Sequence, residues 1–228
     1  FVHEVEILAE LSHENVVRLV GFVEQLEQGE AWIVLSWHPN GNVREFLATE
    51  EWEVPERISL IKDTFEGLAY LHSRNPPICH GDLKSLNILV SSSYRAIITD
   101  FGSARVLDEM AEKVLTLTGP AWSLRWAPPE VVNGATASLP SDIWSAGWVC
   151  WEIMTNQVPF PELYSAGGIV LEVIQGEVPS AREDAQLSQI TRLCGLMTDC
   201  WELDPSERPN VAQCQNEVAC MVSCTPCW

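Results

Sequence analysis

The spacing of apolar residues predicts a short mixed segment at the start of the chain. Apolar side chains recur at helical spacing from Phe1 to Leu11, which predicts an amphipathic helix. Two apolar runs follow, residues 16–23 and 31–37, and both have the length and composition of strands. The sequence Pro39-Asn40-Gly41 then predicts a turn. A helix and two strands are therefore expected before residue 40.

The pattern after this turn is mainly helical. Apolar side chains recur every three or four residues after Pro55, which is typical of a helix with one buried face. Residues 142–155 are apolar on all sides and predict a central helix, and the stretches 190–201 and 211–221 predict two amphipathic ones. Two short apolar runs between residues 87 and 100 predict a hairpin. The predicted fold class is therefore α+β, with a small strand-containing part and a mainly α-helical body.

Composition and charge narrow the classes of function. Of the 228 residues, 46% are hydrophobic and 20% are charged, which is the balance of a globular domain. The net charge of -19 argues against nucleic acid as a partner, because a phosphate backbone needs lysine and arginine opposite it. An acidic surface that maintains solubility is the alternative to a basic substrate. No apolar stretch reaches the roughly 20 residues of a membrane-spanning helix, so no membrane segment is expected.

The ends of the chain and its cysteines lead to two further expectations. The chain begins at Phe1 without an initiator Met or a signal sequence, and we expect it to start inside a longer protein.

Three cysteines lie in apolar runs: Cys79, Cys150 and Cys194. They are expected to be core residues in a reducing, cytoplasmic compartment. A second group consists of Cys214, Cys220, Cys224 and Cys227. Helix packing is favoured over a zinc site for this group, because no histidine is near it.

The candidate chemistry is concentrated in His80-Gly81-Asp82-Leu83-Lys84-Ser85-Leu86-Asn87 and in Asp100-Phe101-Gly102. Asp82 is a candidate base for the proton of an attacking hydroxyl, and Lys84 can reach a transferred phosphate. Asn87 and Asp100 supply the amide and carboxylate oxygens that Mg²⁺ prefers. Pairing in the predicted hairpin would bring these two to the same end of its strands. The order of these residues predicts phosphoryl transfer from a magnesium nucleotide to a hydroxyl.

With these motifs the chain resembles a eukaryotic protein kinase domain from Phe1 to about Arg208. Its catalytic loop, residues 80–87, is similar to that of the tyrosine-kinase-like group of serine/threonine kinases. The other matching motifs are Pro128-Pro129-Glu130, Ser141-Asp142-Ile143-Trp144-Ser145, Cys200-Trp201, Asp204-Pro205 and Arg208-Pro209. The resemblance implies that Asp142 braces the backbone of the catalytic loop. It also implies that Glu130 and Arg208 form a buried bidentate ion pair that fixes the end of the activation segment.

The resemblance implies a division of the chain and a nucleotide pocket. Residues 1–37 would be the remnant of the small lobe, a helix and two strands, and residues 38–228 would be the large lobe. ATP and Mg²⁺ would bind, and a protein would be the substrate. The implied nucleotide contacts are Leu35 as gatekeeper, Ser36, Trp37 and His38 as the hinge, Leu89 as the floor of the adenine pocket and Asn42 at the ribose. Leu35 and Leu89 would equally be core residues in another fold. Lys84, in place of an Arg-rich loop, implies serine or threonine acceptors.

Two departures from the family pattern concern regulation and substrate docking. Gly81 stands where the family usually has Arg, which implies control that does not use an Arg contact to a phosphorylated activation loop. Candidate phosphosites, or ordinary loop residues, are Thr116, Thr118 and Ser123. Pro128 replaces the small Ala of the family, which implies a change at the substrate-docking end of the activation segment.

The third departure is the largest. No Gly-rich phosphate loop and no strand Lys precede the first helix, and Glu4 aligns with the helix Glu that would pair with that Lys. The lysines are Lys62, Lys84 and Lys113. We therefore expect a kinase domain that is weak or inactive as this chain. Two functions remain open: a serine/threonine kinase, and a pseudokinase that acts as a non-catalytic protein-binding module.

Overall fold

The computed structural model describes residues 1–25, 27–107, 121–179 and 190–223. The helices are α1 (Val2–Ala9), α2 (Val43–Leu47), α3 (Val54–His72), α4 (Pro129–Val132), α5 (Leu139–Thr155), α6 (Ala166–Gln175), α7 (Thr191–Cys200) and α8 (Val211–Ser223). The strands are β1 (Leu19–Gln25), β2 (Glu30–Leu35), β3 (Ile78–Cys79), β4 (Ile88–Val90), β5 (Ala96–Ile98) and β6 (Arg105–Val106). Single 3₁₀ turns occupy Ser85–Asn87 and Ala121–Arg125. The α+β class predicted from the sequence is confirmed.

The strands form three antiparallel pairs, β1 with β2, β3 with β6 and β4 with β5. In the third pair Ile88 lies opposite Ile98 and Val90 opposite Ala96, which confirms the predicted hairpin. The N–H of Val17 donates to the carbonyl of Ile98 at 2.8 Å, so this hairpin is joined to the chain that leads into β1. The hairpin thereby connects the first strands to the helical body.

Helix α5 is the centre of the helical body, as its uniform apolar pattern predicts. Every residue from Ser141 to Met154 is buried. A capping box between Ser138 and Ser141 begins the helix, and Asn156 ends it in the left-handed conformation at φ 57°. Helices α3 and α7 pack against α5, and α8 packs against α3. Burial on all sides makes α5 a rigid support for whatever is bonded to it.

The first strands differ in position from the predicted ones. The sequence predicts strands at residues 16–23 and 31–37. In the structure β1 begins later than predicted, at Leu19, and β2 begins one residue earlier, at Glu30. The backbone at Val16 pairs with β5 rather than with β2: the N–H of Val17 donates to Ile98, and the N–H of Ile98 donates to the carbonyl of Asn15 at 2.9 Å. The side chains of Val16 and Val17 are buried. Helices α2, α4 and α6 are not predicted by the apolar spacing. The first two are too short for a periodic pattern, and α6 contains two glycines.

The cysteines expected in the core are there. Cys79, Cys150 and Cys194 are buried, Cys214 is also buried, and Cys220 is exposed. Cys224 and Cys227 lie outside the described residues. Within the described ranges no group of three or more histidine, cysteine or acidic side chains could hold a metal ion. None of the described helices is both long enough and apolar enough to cross a membrane.

Candidate active site

The backbone of the catalytic loop is held by the carboxylate of Asp142, on the first turn of α5. The N–H of His80 donates to Oδ2 at 2.8 Å, and the N–H of Gly81 donates to Oδ1 at 2.9 Å. Nε2 of His72 lies 2.9 Å from Oδ2. Burial alone would raise the pKa of Asp142, but the hydrogen bond and charge of His72, with smaller effects from the loop, hold that pKa below its usual value. The bracing role implied for Asp142 is therefore confirmed.

The ring of His80 joins the loop to the segment that follows β5. Its Nε2 lies 3.0 Å from the carbonyl oxygen of Thr99, and its ring meets the edge of the Phe101 ring at a centroid distance of 5.2 Å. Both His80 and Phe101 are fully buried. The N–H of Thr99 donates to the carbonyl of Asn87 at 2.9 Å. Asn87 and Asp100 are thus brought to the same end of the hairpin, as the sequence predicts.

Three of the candidate catalytic side chains contact one another. Nζ of Lys84 donates to Oδ2 of Asp82 at 2.5 Å. Nδ2 of Asn87 donates to the backbone oxygen of Asp82 at 2.9 Å and to its Oδ2 at 3.3 Å. Because the amide nitrogen is directed at Asp82, the oxygen Oδ1 of Asn87 is left for a cation. An amide oxygen and a carboxylate such as that of Asp100, at the same end of the hairpin, are ligand types that suit Mg²⁺.

Asp100 adopts an unusual backbone conformation at the entrance to this site. Its φ is 65°, in the left-handed region, and its Oδ1 accepts from the N–H of Gly102 at 3.4 Å. Glu4 of α1 lies beside it. Burial, and to a smaller extent the charge of Asp100, raises the pKa of Glu4, while an N–H from Phe101 opposes the shift. The helix Glu predicted to pair with a strand Lys therefore faces a second carboxylate in this chain.

Ser123, a candidate phosphosite from the sequence, lies against the catalytic loop. Its Oγ accepts from Nζ of Lys84 at 3.0 Å, so that Lys84 joins it to Asp82. The side chain of Lys84 is only 4% exposed. The other two candidate phosphosites, Thr116 and Thr118, lie outside the described residues. Lys84 therefore connects the base candidate to the segment that leads to α4.

Gly81 occupies a position where a side chain would be costly. Its φ is 76°, and a Cβ built on it would lie 2.8 Å from the backbone oxygen of Ser103. Residues with a Cβ rarely adopt this φ, and the oxygen cannot move without moving the chain after Asp100-Phe101-Gly102. The replacement of Arg by Gly here removes a charge and also relieves this contact.

The predicted nucleotide residues follow β2. Leu35 ends that strand opposite Leu19 and is half-buried, and the N–H of Ser36 donates to the carbonyl of Arg18 at 3.0 Å. Trp37 is 87% exposed, and burial lowers the pKa of His38, whose Nε2 lies 3.1 Å from Oγ of Ser36.

Two further nucleotide candidates lie at the start of α2 and in β4. The backbones of Asn42 and Leu89 form an isolated antiparallel bridge. The side chain of Asn42 caps α2 by accepting from the N–H of Glu45 at 2.9 Å. The bridge joins the segment after the predicted hinge to the β4–β5 hairpin, which begins directly after Asn87. The structure thus connects the predicted adenine and metal positions through backbone hydrogen bonds.

The ion pair implied for the end of the activation segment is present. Arg208 donates from Nη1 to Oε1 of Glu130 at 2.7 Å and from Nη2 to Oε2 at 2.9 Å. The side chain of Arg208 is fully buried, and that of Glu130 is 22% exposed. The guanidinium also lies 5.0 Å from the ring centroid of Trp144 on α5. Pro128, which replaces the family's Ala, is the N-cap of α4 and precedes Pro129 in its first turn.

Two residues outside the sequence motifs, Trp126 and Glu152, are joined to Ser85 of the catalytic loop. Ser85 and Trp126 both donate to Glu152 on α5. A signal was available for Glu152, because it is one of two carboxylates, with Asp142, in a helix that is otherwise apolar on all sides. A charge at such a position must be buried, and a buried carboxylate requires hydrogen-bond donors.

Comparison with known proteins agrees with this geometry. The sequence model of the family "Protein tyrosine and serine/threonine kinase" matches residues 1–218. Serine/threonine-protein kinase CTR1 of Arabidopsis thaliana is 31% identical over 219 residues, and ephrin type-A receptor 8 of Homo sapiens is 30% identical over 216. Each alignment covers 93% of this chain, but 25% and 21% of the respective relative. This chain therefore spans a quarter or less of the length of these relatives.

A third relative extends over nearly the whole chain. The probable serine/threonine-protein kinase pats1 of Dictyostelium discoideum is 32% identical over 226 residues, which is 96% of this chain and 7% of the relative. The relatives include proteins named as serine/threonine kinases and an ephrin receptor. The match to the family model, together with the arrangement of the catalytic loop, shows that this chain belongs to the protein tyrosine and serine/threonine kinase family.

Proposed function

We propose that this chain is part of a serine/threonine kinase domain, which transfers the γ-phosphoryl group of ATP to a hydroxyl of a protein. The observation that supports this most directly is the contact of Asp82 with both Lys84 and Asn87 at the end of the hairpin that leads to Asp100. Such an arrangement is suited to accepting a proton and to neutralising phosphate charge at neighbouring positions.

Each of the four residues has a defined part in this proposal. Asp82 is half-buried and accepts the proton of the attacking hydroxyl. A general base of this kind typically raises the rate by about 10²–10⁴-fold. Lys84 donates to the transferred phosphate. Asn87 and Asp100 hold Mg²⁺, which supplies charge neutralisation at the phosphates when it is bound. The catalytic loop positions these groups because Asp142 holds its backbone from the central helix.

The nucleotide would bind between the segment after β2 and the hairpin. We assign the gatekeeper to Leu35, the hinge to Ser36, Trp37 and His38, the ribose contact to Asn42 and the adenine floor to Leu89. We also divide the chain into a small-lobe part, residues 1–37, and a large-lobe part, residues 38–228. We also propose a reducing compartment in the cytoplasm, which the buried free thiols of Cys79 and Cys150 favour.

The acceptor is proposed to be serine or threonine. The resemblance supports this acceptor class, because Lys84 stands in the catalytic loop in place of an Arg-rich sequence; in the structure Lys84 donates to both Asp82 and Ser123. Two of the relatives are named as serine/threonine kinases.

We further propose that the 228-residue chain by itself binds Mg-ATP weakly and transfers phosphate slowly. Its sequence holds three lysines, of which Lys84 belongs to the catalytic loop and Lys62 pairs with Glu66 on α3. Glu4 lies beside Asp100, where its charge opposes the approach of a nucleotide phosphate. The same observation favours the second candidate, a pseudokinase that acts as a non-catalytic protein-binding module.

The test compares the wild-type chain with Asp82→Asn in phosphate transfer from Mg-ATP to a serine/threonine peptide. We expect slow transfer by the wild type and a loss of at least 100-fold in the variant, with Asp199→Asn on the exposed face of α7 as the matched control. Equal transfer by the wild type and Asp82→Asn would contradict the proposed base. Absence of both transfer and Mg-ATP binding, measured by calorimetry, would favour the binding module.

A further inference from the structure

Helix α6 is apolar on two sides, and only one of these sides is buried. Its 10 residues, Ala166–Gln175, include a single charged side chain. Ile169 and Val173, four residues apart, are 3% and 2% exposed and face the core. Leu171 and Ile174 lie on the opposite side and are 54% and 43% exposed. A helix that is apolar all round is normally buried all round, so the second side of α6 is a surface without a partner among the described residues.

The exposed apolar surface extends along the whole of α6. At its start a Cβ built on Gly167, four residues before Leu171, would meet nothing within 4 Å, so this end of the surface is open. At its end Gly176 has the left-handed conformation, and a Cβ built there would overlap Cδ2 of Leu203. Leu203 therefore lies against the C-terminal end of the helix, and it is 57% exposed. We call the surface formed by Gly167, Leu171 and Ile174 the α6 face, with Leu203 next to its C-terminal end.

The chain around the α6 face is strongly acidic. Residues 162–179 and 202–207 comprise α6, the segments on both sides of it and the loop at Leu203, and they hold six carboxylates and no lysine or arginine. The six are Glu162, Glu172, Glu177, Glu202, Asp204 and Glu207, and all but Glu172 are exposed. The neighbouring Arg208 is buried and bonded to Glu130. The potential at this surface is therefore negative, which favours a partner with lysine or arginine beside its apolar residues.

We propose that the α6 face is a docking surface for a partner protein that carries apolar side chains on a basic amphipathic segment. The apolar side chains of that segment cover Leu171 and Ile174, and its basic side chains pair with the surrounding carboxylates. A second copy of this chain is a poorer occupant, since it would bring the same carboxylates against the same surface. An anionic membrane is repelled for the same reason.

The α6 face has a fixed position relative to the candidate active site. Helix α6 packs against the turn Ala121–Arg125 and against α4. Both terminal nitrogens of Arg125 donate to backbone carbonyls of the segment 159–163, which leads to α6. The same turn carries Ser123, which accepts from Lys84 of the catalytic loop. The role of the docked partner as the substrate rests on the proposed function, whereas the docking itself does not require any activity of the chain.

The first experiment titrates the ¹⁵N-labelled chain of 228 residues with a synthetic peptide of about 16 residues, which carries leucines at helical spacing and lysines beside them. We expect saturable binding, with the largest amide shifts in α6. The double variant Leu171→Ser, Ile174→Ser should weaken binding by about tenfold or more. Val222→Ser, at a similarly exposed residue of α8, is the matched control and should leave binding unchanged. Since all three residues are exposed, equal unfolding midpoints should show that both variants fold.

The charge of the α6 face is tested separately. A peptide with glutamates in place of the lysines should not bind. Glu172→Gln together with Glu177→Gln should weaken binding of the lysine peptide by about threefold or more and reduce its salt dependence. Glu50→Gln together with Glu51→Gln removes the same charge at two exposed residues before α3, and its effect should be smaller. Equal binding of the two peptides, unchanged binding by the Leu171/Ile174 double variant, or shifts confined to residues outside α6 and its flanks would overturn the proposal.

The other occupants are examined with the same double variant. We expect the wild type and the variant to have equal sedimentation coefficients at every protein concentration, and neither to bind vesicles of phosphatidylserine through α6. Self-association that is lost in the variant would assign the α6 face to a second copy of the chain. Vesicle binding that is lost in the variant would assign it to a membrane. Either result would overturn the proposal.

A third measurement concerns the substrate and separates this inference from the proposed function. A serine peptide is joined to the lysine–leucine peptide by glycine–serine linkers of graded length. Where the wild type transfers phosphate, the joined peptide should have a KM lower by about tenfold or more than the serine peptide alone, because docking raises its effective concentration. The double variant should lose this gain with kcat unchanged, and an equal gain in the variant would contradict the substrate role. Failure of the wild type to transfer phosphate would contradict the proposed function and leave the binding measurements intact.

Discussion

The surroundings of the catalytic loop and the β1–β2 hairpin differ in how completely their side chains are buried and hydrogen-bonded. Around the loop, Asp142 and Glu152 are almost fully buried, and each receives hydrogen bonds from the loop backbone. On the hairpin, Val20 is 65% exposed, Phe22 is 52% exposed and Trp32 is 60% exposed. Both regions are rich in apolar residues, but only around the catalytic loop are these side chains buried.

This contrast separates the stability of the fold from the binding of the nucleotide. The catalytic loop is bonded to α5, so the groups that we propose for proton transfer and metal binding are positioned by the core of the chain. The segment after β2, which carries the proposed hinge, depends on a two-stranded hairpin with an exposed face. We expect changes near α5 to alter the free energy of unfolding, and changes on the hairpin to leave it nearly constant.

The largest effect is expected for Asp142→Ala. The change leaves the N–H groups of His80 and Gly81 and the ring of His72 without their acceptor in a buried site, which should lower the free energy of unfolding by about 3–5 kcal/mol. Urea denaturation followed by circular dichroism at pH 7 measures this loss. Because the pKa of Asp142 lies below its ordinary value of 3.8, its contribution is complete above that pH and is lost as pH falls through the folded pKa.

The control for this change is Asp199→Ala on the exposed face of α7, which should alter stability by about 0.5 kcal/mol or less. Asp142→Asn keeps one acceptor oxygen and provides a milder variant should the alanine variant fail to fold. A loss below about 1 kcal/mol in both Asp142 variants would contradict the view that the core holds the loop.

An intermediate effect is expected for Gly81→Ala, with Gly29→Ala in the β1–β2 turn as its matched partner. The φ values are similar, 76° and 68°, but a Cβ at Gly81 meets the backbone oxygen of Ser103 at 2.8 Å, whereas one at Gly29 meets nothing within 4 Å. Both variants should lose about 1 kcal/mol from the left-handed conformation. Gly81→Ala should lose about 1–2 kcal/mol more, because the contact forces the backbone to shift.

Thermal or urea unfolding of the two glycine variants measures the difference. Equal losses would mean that the chain around Ser103 moves freely, and the packing assigned to the loop would then be wrong. Gly81→Arg should behave like Gly81→Ala or worse, since it has the same Cβ.

The smallest effect is expected for Trp32→Phe on β2. Trp32 is 60% exposed, so the change should alter the free energy of unfolding by about 0.5 kcal/mol or less. The same change at Trp148 on α5, which is 1% exposed and packs on Trp201 at a centroid distance of 4.7 Å, should cost about 1–3 kcal/mol. Calorimetric unfolding of both variants gives the comparison, and a large loss at Trp32 would show that the hairpin face is packed.

The long helices and the central hairpin follow from the sequence because their patterns are local. The apolar run of α5 and the stripe of α3 specify a helix at the same places where the structure has one. The first strands are displaced from their predicted positions because Val16 and Val17 pair with β5, a partner about 80 residues away. Short helices such as α2 and α4 escape prediction, since a few residues cannot display a period.

The candidate active site likewise has residues that follow from a local motif and residues whose role depends on distant segments. Asp82, Lys84, Asn87 and Asp100 follow from the motif, because chemistry restricts the residue types that can perform these tasks. Ser123 was predicted only as a phosphosite, and its contact with Lys84 depends on a chain segment about 40 residues away. Glu152 and Trp126 do not follow from the motifs for the same reason, although a carboxylate within the apolar part of α5 is a signal for the first of them.

The sequence by itself determined the family resemblance, the fold class and the identity of the chemical groups, because these depend on residue types at short separations. Only the tertiary structure decided which groups hold the catalytic loop: Asp142 bonds its backbone, Glu152 joins it to Trp126, and Ser103 excludes a side chain at position 81. These are contacts between distant segments, and their energies depend on burial and donor direction, which a linear pattern does not contain.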